Sequence, residues 1–192
     1  MHKLKKHTSF SKSFTLTFEI CLISIFVTFI TILRYILYYL PNVELVTFFL
    51  VIFILLFKNH FNWILVNSFC LIQVILFGYT DLCYFVIYNL YCLIVILSRK
   101  LLFSFQFLLA ILIFLFGIFF GVIYSLNHLI TYNFNFKIMF AYYLRGIIFD
   151  VIHGVANIIL FSCLYYPIQK IMKNFALNNT NLFNYIYLQQ IV

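Results

Sequence analysis

The chain is a succession of long apolar runs broken by short polar interruptions, and run length sets the elements it predicts. A helix needs about 20 apolar residues to cross a bilayer core, with a range of roughly 17 to 25. Cutting the chain at its polar breaks predicts six membrane-spanning helices, over residues 16–40, 44–57, 63–77, 82–98, 101–124 and 144–167. Pro41 closes the first, because proline cannot continue a helix without losing a hydrogen bond. Lys58-Asn59-His60 closes the second, Gly78-Tyr79-Thr80-Asp81 the third, Arg99-Lys100 the fourth and the polar stretch 127–137 the fifth. The second and third runs hold only about 15 apolar residues each, so a single re-entrant hairpin competes with two short spans.

Composition supports the membrane reading. Of 192 residues 66% are hydrophobic and only 8% charged, against roughly 25% charged in soluble domains. Twelve basic and four acidic residues are too few to cover the surface of a soluble globule. That excludes a soluble enzyme, a nucleic-acid-binding domain and a disordered segment. The net charge of +8 then reads as topology. With six spans and the N-terminus inside, the cytoplasmic segments hold Lys3, Lys5, Lys6, Lys12, Lys58, Arg99, Lys100, Lys170 and Lys173, while Lys137 falls in an outer loop and Arg34 and Arg145 near outer helix ends. Such asymmetry is what the positive-inside rule requires, and a hairpin would misplace Lys58.

The expected class is therefore an all-α integral membrane bundle of six transmembrane helices with cytoplasmic N- and C-termini. Residues 1–15 form a basic cytoplasmic tail, 16–173 the membrane domain, and 174–192 a polar cytoplasmic tail or surface helix. The first apolar run is too long for a signal peptide and lacks a small-residue cleavage site, so it is expected to remain as a helix.

An ionisable residue within a span costs at least about 2.5 to 3.5 kcal/mol at the helix centre on insertion scales, so each needs a reason. Asp150, His153 and Asn157 are three and four residues apart, with Gly146 and Gly154 beside them, and share one narrow helix face. From a start near Leu144, Asp150 lies about 9 Å and Asn157 about 20 Å below the outer surface. Two readings stand. Asp150 neutralises Arg145 or Arg34 while His153 and Asn157 bond across helices as packing glue, or the stripe lines a polar cavity and binds a ligand.

At the first outer connection, Asn42 can cap the second helix and Glu44 suits its dipole. Alternatively, both close over the cavity that Asp150 enters. Thr17, Cys21, Ser24, Thr28 and Thr31 put small side chains at helical spacing on the first span, a groove another helix can approach. Glu19 is expected to snorkel to the inner interface. The five cysteines include no CxxC pair and read as small buried residues. Phosphate-loop, zinc-protease and serine-hydrolase motifs are absent from the sequence, so no catalytic residue, metal or cofactor is expected, and active transport would borrow its energy.

Residues 34–46, RYILYYLPNVELV, and 146–167, GIIFDVIHGVANIILFSCLYYP, resemble two motifs of substrate-binding S components of energy-coupling factor vitamin transporters: an arginine followed by "PN-v-e-v", and "f-D-l-l-H-a-x-x-N-x-x-f … p". Where that family has a Gly-Pro-Trp-like turn, this chain has Gly78-Tyr79-Thr80-Asp81, then Tyr84 and Tyr88. The resemblance implies a non-enzymatic bacterial plasma-membrane subunit. It would capture a vitamin or similar micronutrient in an outer-half cavity and topple against a coupling transmembrane subunit driven by two ATPase subunits. It implies ligand contacts from Arg34, Asn42, Glu44, Tyr84, Asp150, His153 and Asn157, and partner contacts from Ser24 and Thr28, which stand where the family has an AxxxA groove. A non-enzymatic membrane adaptor, or cell-shape factor of the MreD type, is the alternative; there the stripe would be interhelical packing. No nucleic-acid partner is expected.

Overall fold

The computed structural model describes the backbone of residues 2–40, 45–78, 82–131 and 133–191. The chain is all-α: α1 (His2–Ile36), α2 (Val46–Leu56), α3 (Asn59–Phe77), α4 (Leu82–Ser104), α5 (Gln106–Thr131), α6 (Phe136–Asn178), a 3-10 turn (Thr180–Leu182) and α7 (Tyr185–Ile191). Among the described residues five helices are long and apolar enough to cross a membrane, and α2 is a shorter apolar helix. The chain is a multi-pass helical membrane protein, as run length predicts.

The five long helices pack in the order α1, α3, α4, α5, α6 around α2, which touches all of them. All eleven residues of α2 are buried. A helix apolar on every side has no face to give to water and belongs in the middle. Its sequence, VTFFLVIFILL, meets that condition and carries one polar side chain, Thr47. The outer helices turn apolar side chains such as Ile75, Leu97 and Ile148 outward, as a lipid-facing surface requires.

At 1.5 Å per residue α2 is about 16 Å long, roughly half the hydrocarbon thickness. Its first turn lies level with the middle of α6, where Thr47 meets His153. Its last turn lies at the end of the bundle that also holds the α2–α3 junction, the α4–α5 junction and the C-terminus; we call this end the base. Contacts between Asn59 and Arg99, Lys58 and Leu182, and Phe103 and Tyr187 define it.

Ending a helix inside protein leaves its last carbonyls without intrahelical donors. Here all of them are met. The Arg99 guanidinium, 4% exposed, donates from Nε to Ile54 O and from one terminal nitrogen to both Ile54 O and Phe57 O, with the other on Asn59 Oδ1 at 2.6 Å. Asn62 Nδ2 donates to the same two carbonyls at 2.9 and 3.2 Å. Asn184 donates its side-chain amide to Leu55 O and Leu56 O and its backbone N–H to Leu56 O. A cation at a helix C-terminus also suits the helix dipole. Arg99 is thus the cap of α2 and not a solvated loop charge.

The C-terminal residues expected to form a loose tail are packed into the base. Phe183 pairs with Phe57 across an antiparallel bridge, and Leu182, Phe183, Asn184 and Tyr187 are buried. Burial pushes the Tyr187 hydroxyl up to about 12, with nearby Tyr165 adding to the rise.

Several boundaries differ from the sequence reading. Helix α1 runs without a break from His2, so the basic tail continues the first span. Asn59, His60 and Asn62 open α3, which brings it to 19 residues, enough to span. Helix α5 continues through most of the polar stretch to Thr131, and α6 begins at Phe136, capped by Asn135 Oδ1 on the N–H groups of Lys137 and Ile138. Pro167 lies inside α6, which runs on to Asn178 because Met172 and Ala176 still have core to bury against. Polarity alone does not end a helix whose residues can reach water or a neighbour. Cys70 and Cys92 are buried as expected, but Cys21 and Cys163 face outward, where an apolar surround suits a thiol equally well.

Candidate functional site

The stripe on α6 points inward. Asp150, His153 and Asn157 are 4%, 2% and 0% exposed, while flanking Phe149, Val151 and Ile158 are exposed. The same face carries Gly154, and α5 presents Gly117 and Gly121 to it. A β-carbon on Gly117 would lie 2.7 Å from the Gly154 backbone nitrogen, and one on Gly121 would overlap the Asp150 carboxylate. The two helices therefore touch backbone to backbone, and the carboxylate fills the notch that Gly121 leaves. Gly117-Ile118-Phe119-Phe120-Gly121 is a GxxxG sequence, the small-residue spacing that lets membrane helices approach closely. That spacing is visible in the sequence, but it does not show which helix crosses there.

His153 Nε2 lies 3.3 Å from Thr47 Oγ1 on the first turn of α2, and its ring meets Phe120 edge-on at 6.0 Å. Thr47, fully buried, joins the candidate set; nothing in α2's own pattern marks it beyond being its one polar side chain. Asp150 Oδ2 and both polar atoms of Asn157 are buried without a hydrogen-bond partner. An orphaned buried polar group costs about 1–3 kcal/mol, more when charged, so such groups normally serve something.

Neutralisation by arginine is not what holds this stripe. Among the described residues Asp150 carries no ion pair; Arg145 is exposed, and Arg34 turns elsewhere. The Arg34 guanidinium lies over the Phe77 and Tyr84 rings, 5.6 and 5.4 Å from their centroids, and donates to the Tyr84 hydroxyl. Arg34 and Tyr84 are thus brought together at the end opposite the base. A relay of ring contacts, Tyr84 on Tyr88 at 4.8 Å, Tyr88 on Phe120 at 6.2 Å and Phe120 on His153 at 6.0 Å, joins this pair to the stripe through the interior. Asn42 and Glu44 lie outside the described residues.

The small-residue groove of α1 is split. Ser24 and Thr28 are exposed on the outer face, as are Thr17 and Cys21, whereas Thr31 turns inward and accepts from Gln73 Nε2 at 3.3 Å. Ser24 satisfies its hydroxyl on Ile20 O of its own helix. Glu19 reaches His60 on α3 at 3.4 Å and does not stand alone at the interface.

Two amides on α3 and α4, which carry no charge to mark them in the sequence, also meet across the helices. Asn67 and Asn89 form a reciprocal pair, each donating to the other's carbonyl oxygen at 3.1 and 3.2 Å and to the backbone carbonyl four residues earlier. Every donor is used, so this pair is a fastener between helices. The α6 stripe differs because Asp150 Oδ2 and both polar atoms of Asn157 are left without partners. Among the described residues no cluster of His, Cys, Asp or Glu could hold a metal. No protein-family model, curated protein or solved structure matches the chain.

Proposed function

We propose that the chain is a membrane-embedded capture subunit for a small polar nutrient, of the S-component type that its two sequence motifs resemble. The observation that carries this reading is that Asp150 Oδ2 and both polar atoms of Asn157 lie on a buried stripe without a hydrogen-bond partner. An acceptor-only carboxylate oxygen and an amide offering both donor and acceptor form the sparse polar set with which an otherwise apolar site fixes a ligand. Aromatic rings from Tyr84 to Phe120 supply the apolar part. In this reading the base faces the cytoplasm of a bacterial cell, a coupling subunit and two ATPases supply the driving energy, and the chain itself is no enzyme. Ser24 and Thr28, exposed on α1, remain the proposed partner contacts.

The test is to purify the chain in mild detergent, denature it and identify by mass spectrometry any small polar molecule released. Asp150→Ala and Asn157→Ala proteins, shown to be folded, should release at least ten-fold less. Equal release from both variants, or none from the parent after incubation with a nutrient extract, rejects the site.

One observation favours the adaptor reading: the Gly117–Gly154 crossing accounts for the small residues of the stripe by packing alone. Affinity capture separates the two, since ATPase subunits support capture and cytoskeletal or wall-synthesis proteins support an adaptor.

A further inference from the structure

The half-length of α2 creates a problem at the base that two separate sets of donors solve. Arg99 and Asn62, both rooted in long helices, hold the carbonyls of Ile54 and Phe57. The carbonyls of Leu55 and Leu56 depend instead on Asn184, in the segment that follows α6. Lys58 N–H donates to Leu182 O at 3.1 Å from the same segment, Phe183 lies 4.8 Å from Phe57, and Tyr187 stacks on Phe103 of α4 at 5.7 Å. These are amide hydrogen bonds and ring contacts, of the kind water and a neighbouring surface can replace. Taking this segment away would leave α2 fastened by Arg99 and Asn62.

Beside the residues that the segment contacts lies a cavity of about 10 Å³, between Ile52, Leu55 and Leu56 of α2, Phe103 of α4, and Tyr165 and Gln169 of α6. It is about one water molecule in size. Three of its six walls, Leu55, Leu56 and Phe103, are the surfaces on which the segment sits. Above it the walls continue along α2 and α6. Tyr165 is eight residues, about 12 Å, from Asn157 on the same helix, and α2 leads from Leu56 to Thr47 beside His153.

We propose that the C-terminal segment Leu182–Tyr187 is a removable stopper closing the base of the wedge between α2, α4 and α6, and that its release opens the way from the buried stripe to the base. The proposal rests on the capture reading for what would pass, but not for whether the stopper moves.

The experiment uses the full chain with its five cysteines replaced by alanine or serine and a reporter, Ile52→Cys, placed in the cavity wall. Its rate of modification by methanethiosulfonate-ethylammonium is measured in detergent. A second protein adds Phe57→Cys and Phe183→Cys, opposite one another in the bridge, so that oxidation locks the segment and the reduced form of the same protein is the reference. Modification of the reporter should be at least ten-fold slower in the oxidised than in the reduced protein, and at least ten-fold faster in Asn184→Ala than in the parent. Equal rates in locked and reduced protein overturn the stopper even if Asn184→Ala fails to fold. No solute is used, so that outcome leaves capture standing, while failure to release any nutrient would reject capture and leave the stopper standing.

Discussion

Gly121 has no side chain, and the Asp150 carboxylate stands where its β-carbon would be. Gly121→Ala must therefore move a side chain, whereas Gly117→Ala would press on the backbone of Gly154, which cannot swing aside. Both overpack α5 against α6, at a cost of about 1–3 kcal/mol. They differ in rescue. In an Asp150→Ala background, Gly121→Ala should lose most of its cost and Gly117→Ala should keep all of it, read as thermal unfolding in detergent; equal costs in both backgrounds would show that carboxylate and glycine do not compete for one space. Arg99 and Asn62 offer a second residue-scale test, because they share the carbonyls of Ile54 and Phe57. Either alone leaves each carbonyl at least one donor, so Arg99→Ala and Asn62→Ala should each cost less than the double variant implies, with about 1 kcal/mol or more of non-additivity. Arg99→Lys should not restore the parent, since an ammonium lacks the planar fork that reaches both carbonyls. Additive losses would mean the two side chains cap α2 independently.

Helices α3 and α4 are joined by an amide pair in which nothing is left over. Removing one member strands the other, so Asn67→Ala and Asn89→Ala should each destabilise the bundle by about as much as the double variant does. The coupling should lie near the 0.6–1.7 kcal/mol found for hydrogen bonds between membrane helices; double-mutant unfolding measures it, and a double variant twice as costly as either single would contradict the pairing. At this scale the sequence was informative in one direction. Run length finds six apolar segments, and the three- and four-residue spacing of Asp150, His153 and Asn157 correctly predicts one buried face. It cannot say that a helix ends in the interior. The eleven residues of α2 look like a short span because the groups that let it stop, Arg99 and Asn184, lie some 45 and 130 positions away and read locally as a loop charge and a tail amide. Thr47 is illegible as a site member for the same reason, because its meaning lies in which helix crosses its own; Gly121 is marked by the GxxxG spacing, which shows a close crossing but not that Asp150 fills it.

Across the whole molecule, short connections and antiparallel packing gather Lys58, Arg99, Lys100, Lys170 and Lys173 at the base, the end from which the N-terminal basic stretch of α1 also begins. Lys137 and Arg145 lie in the first third of α6, toward the other end. An excess of Lys and Arg in short connections sets orientation because those charges resist translocation, and of these five only Arg99 is committed to a structural role inside the protein. The expected orientation puts the base in the cytoplasm and the Arg34–Tyr84 pair near the outer face. In a chain freed of native cysteines, Lys137→Cys should react with a membrane-impermeant maleimide in intact cells, and Lys170→Cys only after the membrane is opened. If the chain captures a nutrient as proposed, Asn184 and its neighbours then face the side of delivery. Labelling in the opposite sense would leave the bundle unchanged but reverse the direction of any transport through it, and with it the assignment of Leu182–Tyr187 to the inner gate.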